Sequence, residues 1–109
     1  MAVLDLNESA AQRVADDLRA DGVTAIGVGA DVADRQAMED AFAKVRSELG
    51  PTTILVTSAG LFGFSPFVDL SIENWERVIA VNLTGTFHAC QLAVPDMLAA
   101  GWGRIIMIS

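Results

Sequence analysis

The sequence has no tyrosine, one cysteine, one histidine and one lysine (Lys44) among its 109 residues. The lone Cys90 excludes an internal disulfide and a cysteine-rich metal site, and it fits a reducing compartment. His88 has no second histidine or carboxylate at ligand spacing, so no metal site is expected and a surface or interface histidine is the default reading. Basic residues are scarce, and the net charge of −7 argues against nucleic acid or an anionic membrane as a partner. No uninterrupted apolar run approaches the roughly 18 residues of a membrane span. Met1 leads directly into Ala2-Val3-Leu4 without a basic stretch, so no signal peptide is expected and a cytoplasmic location is. Repeats, linkers and low-complexity tracts are likewise missing.

Apolar residues are abundant instead. They make up 52% of the chain, with a mean hydropathy of +0.43. A domain this small has too much surface to hide so much apolar content, and the expectation is a piece of a larger buried core.

The apolar residues come in a repeating order. Ala2-Val3-Leu4 is a short run ending at Asp5, typical of a buried parallel strand. Ser9-Ala10-Ala11-Gln12 reads as a capping box opening a helix with Val14 and Leu18 on its inner stripe and Gly22 as its stop. Residues 24–29 form a second strand. Asp34 can cap a helix whose apolar positions Met38, Phe42, Val45 and Leu49 step by three and four, until Gly50-Pro51 ends it. Residues 53–57 are a third strand, rich in β-branched residues. A loop from Leu61 to Leu70 follows, holding Phe62, Phe64 and Phe67, which either shape a pocket or pack as a satellite core. Ser71 can cap a long helix that Pro95 should kink. After Gly101-Trp102-Gly103, with Trp102 as a packing anchor, residues 104–108 form a fourth strand. This strand–helix alternation predicts an α/β fold with a parallel sheet, helices on its faces and right-handed crossovers.

Small or acidic residues end three strands: Asp5, Asp31-Val32, and Thr57-Ser58-Ala59-Gly60. The carboxyl ends of parallel strands share one edge, so these residues can line one crevice. A carboxylate such as Asp5 can accept both hydroxyls of an adenosine ribose and would repel a 2′-phosphate. Asp31 can bond an adenine amino group while Val32 packs on the ring, and Ala59-Gly60 leave the backbone open to close approach. Taken singly, an aspartate after a strand also serves as a helix cap or turn former. In the long helix Trp75, Val78, Ile79, Asn82, Thr86 and Ala89 fall on one face. Asn82 among them is either a satisfied core asparagine or a site residue.

These residues together resemble the short-chain dehydrogenase/reductase family over essentially the whole chain. The resemblance rests on Val3-Leu4-Asp5, Gly29-Ala30-Asp31-Val32, Ile54-Leu55-Val56-Thr57-Ser58-Ala59-Gly60, Val81-Asn82-Leu83-Thr84-Gly85 and Gly103-Arg104-Ile105-Ile106-Met107-Ile108-Ser109, in the family's order and spacing. It implies part of a Rossmann-type doubly wound sheet over residues 1–109, binding NAD, with NADP not excluded. It further implies hydride transfer between the nicotinamide and a small-molecule secondary alcohol or ketone. Asp5 and the adjoining Leu6 match the position of NAD-preferring members, and Asp31-Val32 match the adenine-holding pair. Thr57 to Gly60 match the family's Asn-Asn-Ala-Gly with both asparagines replaced, so backbone contacts at Ala59 and Gly60 carry over and the asparagine side-chain contacts do not. Asn82 matches the asparagine of the family's Asn-Ser-Tyr-Lys tetrad.

By the same resemblance the chain runs from the family's second strand into its fifth. The first strand, the Gly-rich turn and the catalytic Ser, Tyr and Lys are then expected outside it, and Ser109 corresponds to the residue before that serine. The helix from Ser71 to Ala100 corresponds to one that packs in family dimers and tetramers. Two other readings stand beside this one: a non-catalytic nucleotide-binding α/β domain that senses or scaffolds, and a phosphoacceptor receiver-like domain. The latter needs a lysine ending the final strand, where this chain has Ser109.

The family strand order 3-2-1-4-5 would put the absent first strand between the two halves present here, leaving apolar sheet edges bare. The isolated 109-residue chain is therefore expected not to fold stably as a monomer. Thermal melting of a soluble monomer checks this, and a cooperative transition would refute it.

Overall fold

The computed structural model describes all residues, 1–109. Four strands alternate with helices: β1 (Ala2–Asp5), α1 (Glu8–Ala20), β2 (Ile26–Gly29), α2 (Arg35–Leu49), β3 (Ile54–Thr57), α3 (Ile72–Ile79), α4 (Gly85–Ala100) and β4 (Arg104–Met107). A single 3₁₀ turn, Phe67–Asp69, precedes α3, and a π-helical turn, Ala80–Thr84, joins α3 to α4. The α/β alternation and parallel pairing expected from the sequence are both present. The strands form two separate parallel pairs, with Asp5 opposite Gly29 in β1–β2 and Thr57 opposite Met107 in β3–β4.

Local chemistry sets the helix starts. Asp34 and Ser71 cap α2 and α3 as expected, accepting from the Ala37 and Asn74 amides at 3.0 and 3.2 Å. The first helix starts two residues earlier than its Ser-x-x-Gln signature suggests. Asp5 Oδ1 accepts from the Asn7 amide at 2.8 Å, and this turn presents Asn7, not Ser9, to accept from Ala10 N at 3.1 Å.

The inner face of α1 also differs from the expectation. Ala11 and Ala15 are buried, whereas Val14 is 48% exposed. The reason is the strand beneath: a Cβ on Gly27 would lie 2.6 Å from Gln12 Cα, so the helix backbone rides directly on β2 and only small side chains fit. In α2 the expected stripe holds, with Met38, Phe42 and Val45 buried.

From Ile72 to Ala100 the chain is one helical rod of 29 residues that runs through Pro95 without a break. The π turn shifts the phase of the rod, so the face read from Trp75 to Ala89 is not one buried stripe. Ala89 is buried, while Trp75 and Asn82 are exposed. By length and mean hydropathy alone the rod could cross a bilayer, although it holds no uninterrupted apolar run of that length. Here its inner face packs on α2 and β3.

The core is Val28, Ala30, Met38, Ala41, Phe42, Val45, Ala89, Ala93 and Met97. Between β1 and β3 lies a trench of about 630 Å³, lined by both strands and floored by residues of α2, the π turn and α4, including Met38, Phe42, Val81 and Ala89. The outer face of the second pair is bare, with Ile54 and Val56 more than half exposed. Trp102 is half exposed under the Arg104 guanidinium instead of anchored in the core.

Arg46 and Asp96 tie α2 to α4. Both Asp96 oxygens accept from Arg46 Nε, at 3.0 and 2.9 Å, and Oδ2 also accepts from the Thr52 amide at 2.9 Å. Burial pushes the Asp96 carboxyl up, but the Thr52 amide, the Arg46 hydrogen bonds and the guanidinium charge outweigh it. They hold the group below its ordinary 3.8. A depressed folded-state pKa contributes stability that is complete above the unfolded value and is lost as pH falls through the folded one. Asp96→Asn should accordingly lower stability by on the order of 1–3 kcal/mol at neutral pH and flatten its acid dependence. Urea titrations of the intact protein containing these residues, across that pH range, check both.

Candidate functional site

The carboxyl ends of β1, β2 and β3 carry the residues singled out from sequence. Asp5 ends β1 and Leu6 follows it; both are exposed, with Leu6 69% accessible. The Ala30 amide donates to the Asp5 carbonyl at 3.0 Å, which fixes the segment after β2 beside the end of β1. Asp31 to Asp34 then form a turn closed by the Asp34 amide on the Asp31 carbonyl at 3.0 Å. Asp31 Oδ1 accepts from Ala33 N at 2.9 Å. Asp5 and Asp31 thus do what strand-end aspartates ordinarily do, each with one oxygen. Their second oxygens have no partner within the chain and remain free to accept from a ligand.

Beyond β3, Ser58, Ala59 and Gly60 are exposed and Thr57 is half-buried. A Cβ on Gly60 would stand 3.6 Å from Asn82 Oδ1, an ordinary contact, so packing within the chain does not require glycine there.

Asn82 sits in the π turn and faces this segment. Its Oδ1 accepts from the Leu61 amide at 2.7 Å and its Nδ2 donates to the Leu61 carbonyl at 2.9 Å. One carboxamide therefore satisfies both polar groups of one loop residue. The Asn82 carbonyl accepts from Thr86 Oγ1 at 3.0 Å. The Asn82 side chain is thus satisfied, but by the loop at the crevice and on an exposed turn, not inside the core.

Two residues of α4 were missed from sequence. His88 is 8% exposed, not a surface histidine, and its Nδ1 lies 3.0 Å from the Val32 carbonyl. A Cβ on Gly85 would come within 2.6 Å of Val32 Cγ2. The signal was available, because His88 lies on the stripe of Gly85, Ala89 and Ala93 that faces inward. The aromatic loop corrects another expectation. Phe62, Phe64 and Phe67 are 86–97% exposed, so they form no satellite core; Phe62 and Phe64 stack on each other at 6.2 Å. Cys90 is half-buried. No three His, Cys, Asp or Glu side chains gather as a metal-binding group.

Residues 1–109 match the short chain dehydrogenase family throughout. Among curated relatives, D-threitol dehydrogenase of Mycolicibacterium smegmatis is 39% identical over 106 residues, covering 97% of this chain and 41% of that protein. The inactive 2-(S)-hydroxypropyl-CoM dehydrogenase 2 of Xanthobacter autotrophicus is 40% identical, covering 97% of this chain and 45% of that one. Among solved structures, a 3-ketoacyl-ACP reductase from Sinorhizobium meliloti superposes with a TM-score of 0.96 at 35% identity, over 99% of this chain and 43% of its own. A gluconate 5-dehydrogenase from Burkholderia cenocepacia, in complex with NADP and tartrate, gives 0.89 at 30% identity, over 97% and 42%. The chain spans less than half the length of these relatives.

The Asn82 clasp has a direct consequence. Asn82→Ala should speed amide exchange at Leu61 about tenfold or more, since the acceptor of its N–H and the donor to its carbonyl are both lost. Hydrogen-exchange mass spectrometry over residues 58–65 of the intact protein reads the change. With its five motifs in order and its Rossmann-type α/β architecture, the chain belongs to the short-chain dehydrogenase/reductase family.

Proposed function

We propose that residues 1–109 are the adenosine-binding and central part of a Rossmann domain in an NAD(P)-dependent oxidoreductase acting on a small secondary alcohol or ketone. The observation that carries this reading is the shared strand-end edge. Asp5, Asp31-Val32 and Ala59-Gly60 end three parallel strands, and Asn82 is clasped to the residue after Gly60. Relatives of which this chain covers less than half are dehydrogenases and reductases by name, which supports the class of reaction.

The residues present fit the adenosine half of a dinucleotide. Two carboxylates each keep an unpartnered oxygen, and Gly60 leaves its backbone uncovered. Bound NAD or NADP would supply hydride transfer. Asp5 would accept from the ribose hydroxyls, Asp31 from the adenine amino group, and Asn82 would hold the loop after β3 while its carbonyl orders water for a proton relay. The tyrosine of that relay is not among these residues.

The same reading accounts for the trench and the bare outer face. One extended strand hydrogen-bonded to both β1 and β3 would merge the two pairs into a five-stranded sheet, and a further helix would cover Ile54 and Val56. In the intact protein the exposed apolar side chains of the rod from α3 through the π turn to α4, among them Trp75, Leu83 and Phe87, are suited to a homodimer or homotetramer interface. A non-catalytic nucleotide-binding role is the second reading. It is favoured by the 40% identity to a relative named as inactive, and it predicts cofactor binding without turnover.

Asp5 disfavours a 2′-phosphate by like-charge repulsion, so NAD should bind the intact protein more tightly than NADP. Titration with each dinucleotide, followed by fluorescence or calorimetry, measures the ratio. A preference for NADP would count decisively against the role of Asp5, and absence of binding to either would overturn the functional reading. Asp5→Ser should shift the ratio toward NADP by about tenfold or more.

A further inference from the structure

We infer that His88 is a positioning residue for the adenosine half of the cofactor, acting through Val32; this rests on the dinucleotide-binding reading above. Residues 31–34 form one tight turn with Val32 at its second position, and this turn carries Asp31. A turn at a strand end is ordinarily free to shift. Here α4 grips it at two points. The Val32 side chain fills the space left by the missing Cβ of Gly85, where a methyl group would stand 2.6 Å from Cγ2. The Val32 carbonyl is the hydrogen-bond partner of His88 Nδ1 at 3.0 Å.

A carbonyl oxygen only accepts, so the hydrogen of this bond resides on Nδ1 and the ring is held in one tautomer or as imidazolium. With the ring 8% exposed, water competes little for that bond. The side chain and the peptide plane of Val32 are fixed together, and the Asp31 carboxylate is one residue away. His88 touches neither ribose nor adenine in this arrangement. It presets the turn that does, so that less ordering is left to cofactor binding.

The test uses the intact protein containing these residues, with ADP-ribose and NAD as probes. His88→Phe keeps the ring volume and removes the donor. It should raise the Kd for ADP-ribose and the KM for NAD about tenfold, with kcat changed by less than about twofold. His88→Gln retains an N–H donor and should recover most of the affinity. Gly85→Ala, which pushes Val32 from its seat, should weaken ADP-ribose binding in the same direction. Unchanged ADP-ribose affinity in a folded His88→Phe protein, or a fall in kcat with KM constant, would overturn the inference.

Should His88→Phe fail to fold, ¹⁵N NMR of the His88 ring in the unmutated protein decides. A hydrogen-bearing Nδ1 whose signal moves on saturation with ADP-ribose supports the role. A neutral Nε2–H ring, or signals that do not move, rejects it. Failure of the unmutated protein to bind ADP-ribose or NAD removes the cofactor reading, and this inference with it; binding that ignores His88 removes this inference alone.

Discussion

The main contact joining the two halves of the chain is one helix against another. β1–β2 and β3–β4 share no strand pairing, so no backbone ladder crosses from the first pair to the second. What crosses is α2 against α4, where Met38, Ala41, Phe42 and Val45 meet Ala89, Ala93 and Met97. Full burial of a side chain the size of Met or Phe is worth about 1.5–3 kcal/mol, and the small alanines on α4 let the helices approach. Arg46 and Asp96 close one end of this contact and, through the Thr52 amide, reach the start of β3. A half-buried pair with both partners hydrogen-bonded fixes a register that apolar contact alone would leave sliding.

The same rod that joins the halves also steadies the crevice. At its π turn Asn82 holds the Leu61 peptide, and one helical turn later Gly85 and His88 hold Val32. Two loops from different strands are thereby referred to a single rigid element. The π turn has its own consequence for placement. Widening one turn of the helix rotates Asn82 out of the buried stripe and leaves its carbonyl to Thr86 Oγ1. A regular helix would have put Asn82 on the face of Ala89, away from the loop it clasps.

The apolar excess of the sequence has a structural counterpart in the trench between β1 and β3 and in the uncovered Ile54, Val56 and Ile106. Only 15 of 109 residues are buried, although more than half of the chain is apolar. Apolar strands in parallel sheets are ordinarily covered on both faces and paired on both sides. The first pair comes closer to that state, with α1 and α2 against it, than the second.

Much of this was legible from sequence because it depends on short-range chemistry. Strand–helix alternation, the caps at Asp34 and Ser71, the stripe of α2 and the strand-end positions of Asp5, Asp31 and Gly60 follow from periodicity and from side chains bonding their own neighbours. The five motifs were legible for the same reason, since each lies within one strand end or helix turn. What only the tertiary structure decided involves partners distant in sequence. Alanine replaced Val14 on the inner face of α1 because Gly27 brings the backbones together. The Phe62 loop is exposed because nothing packs on it. His88 is buried because Val32, 56 residues away, supplies its acceptor. The spacing of His88 marked the face on which it lies, but the identity of its partner depended on how α4 crosses the turn after β2, and local sequence does not encode that crossing.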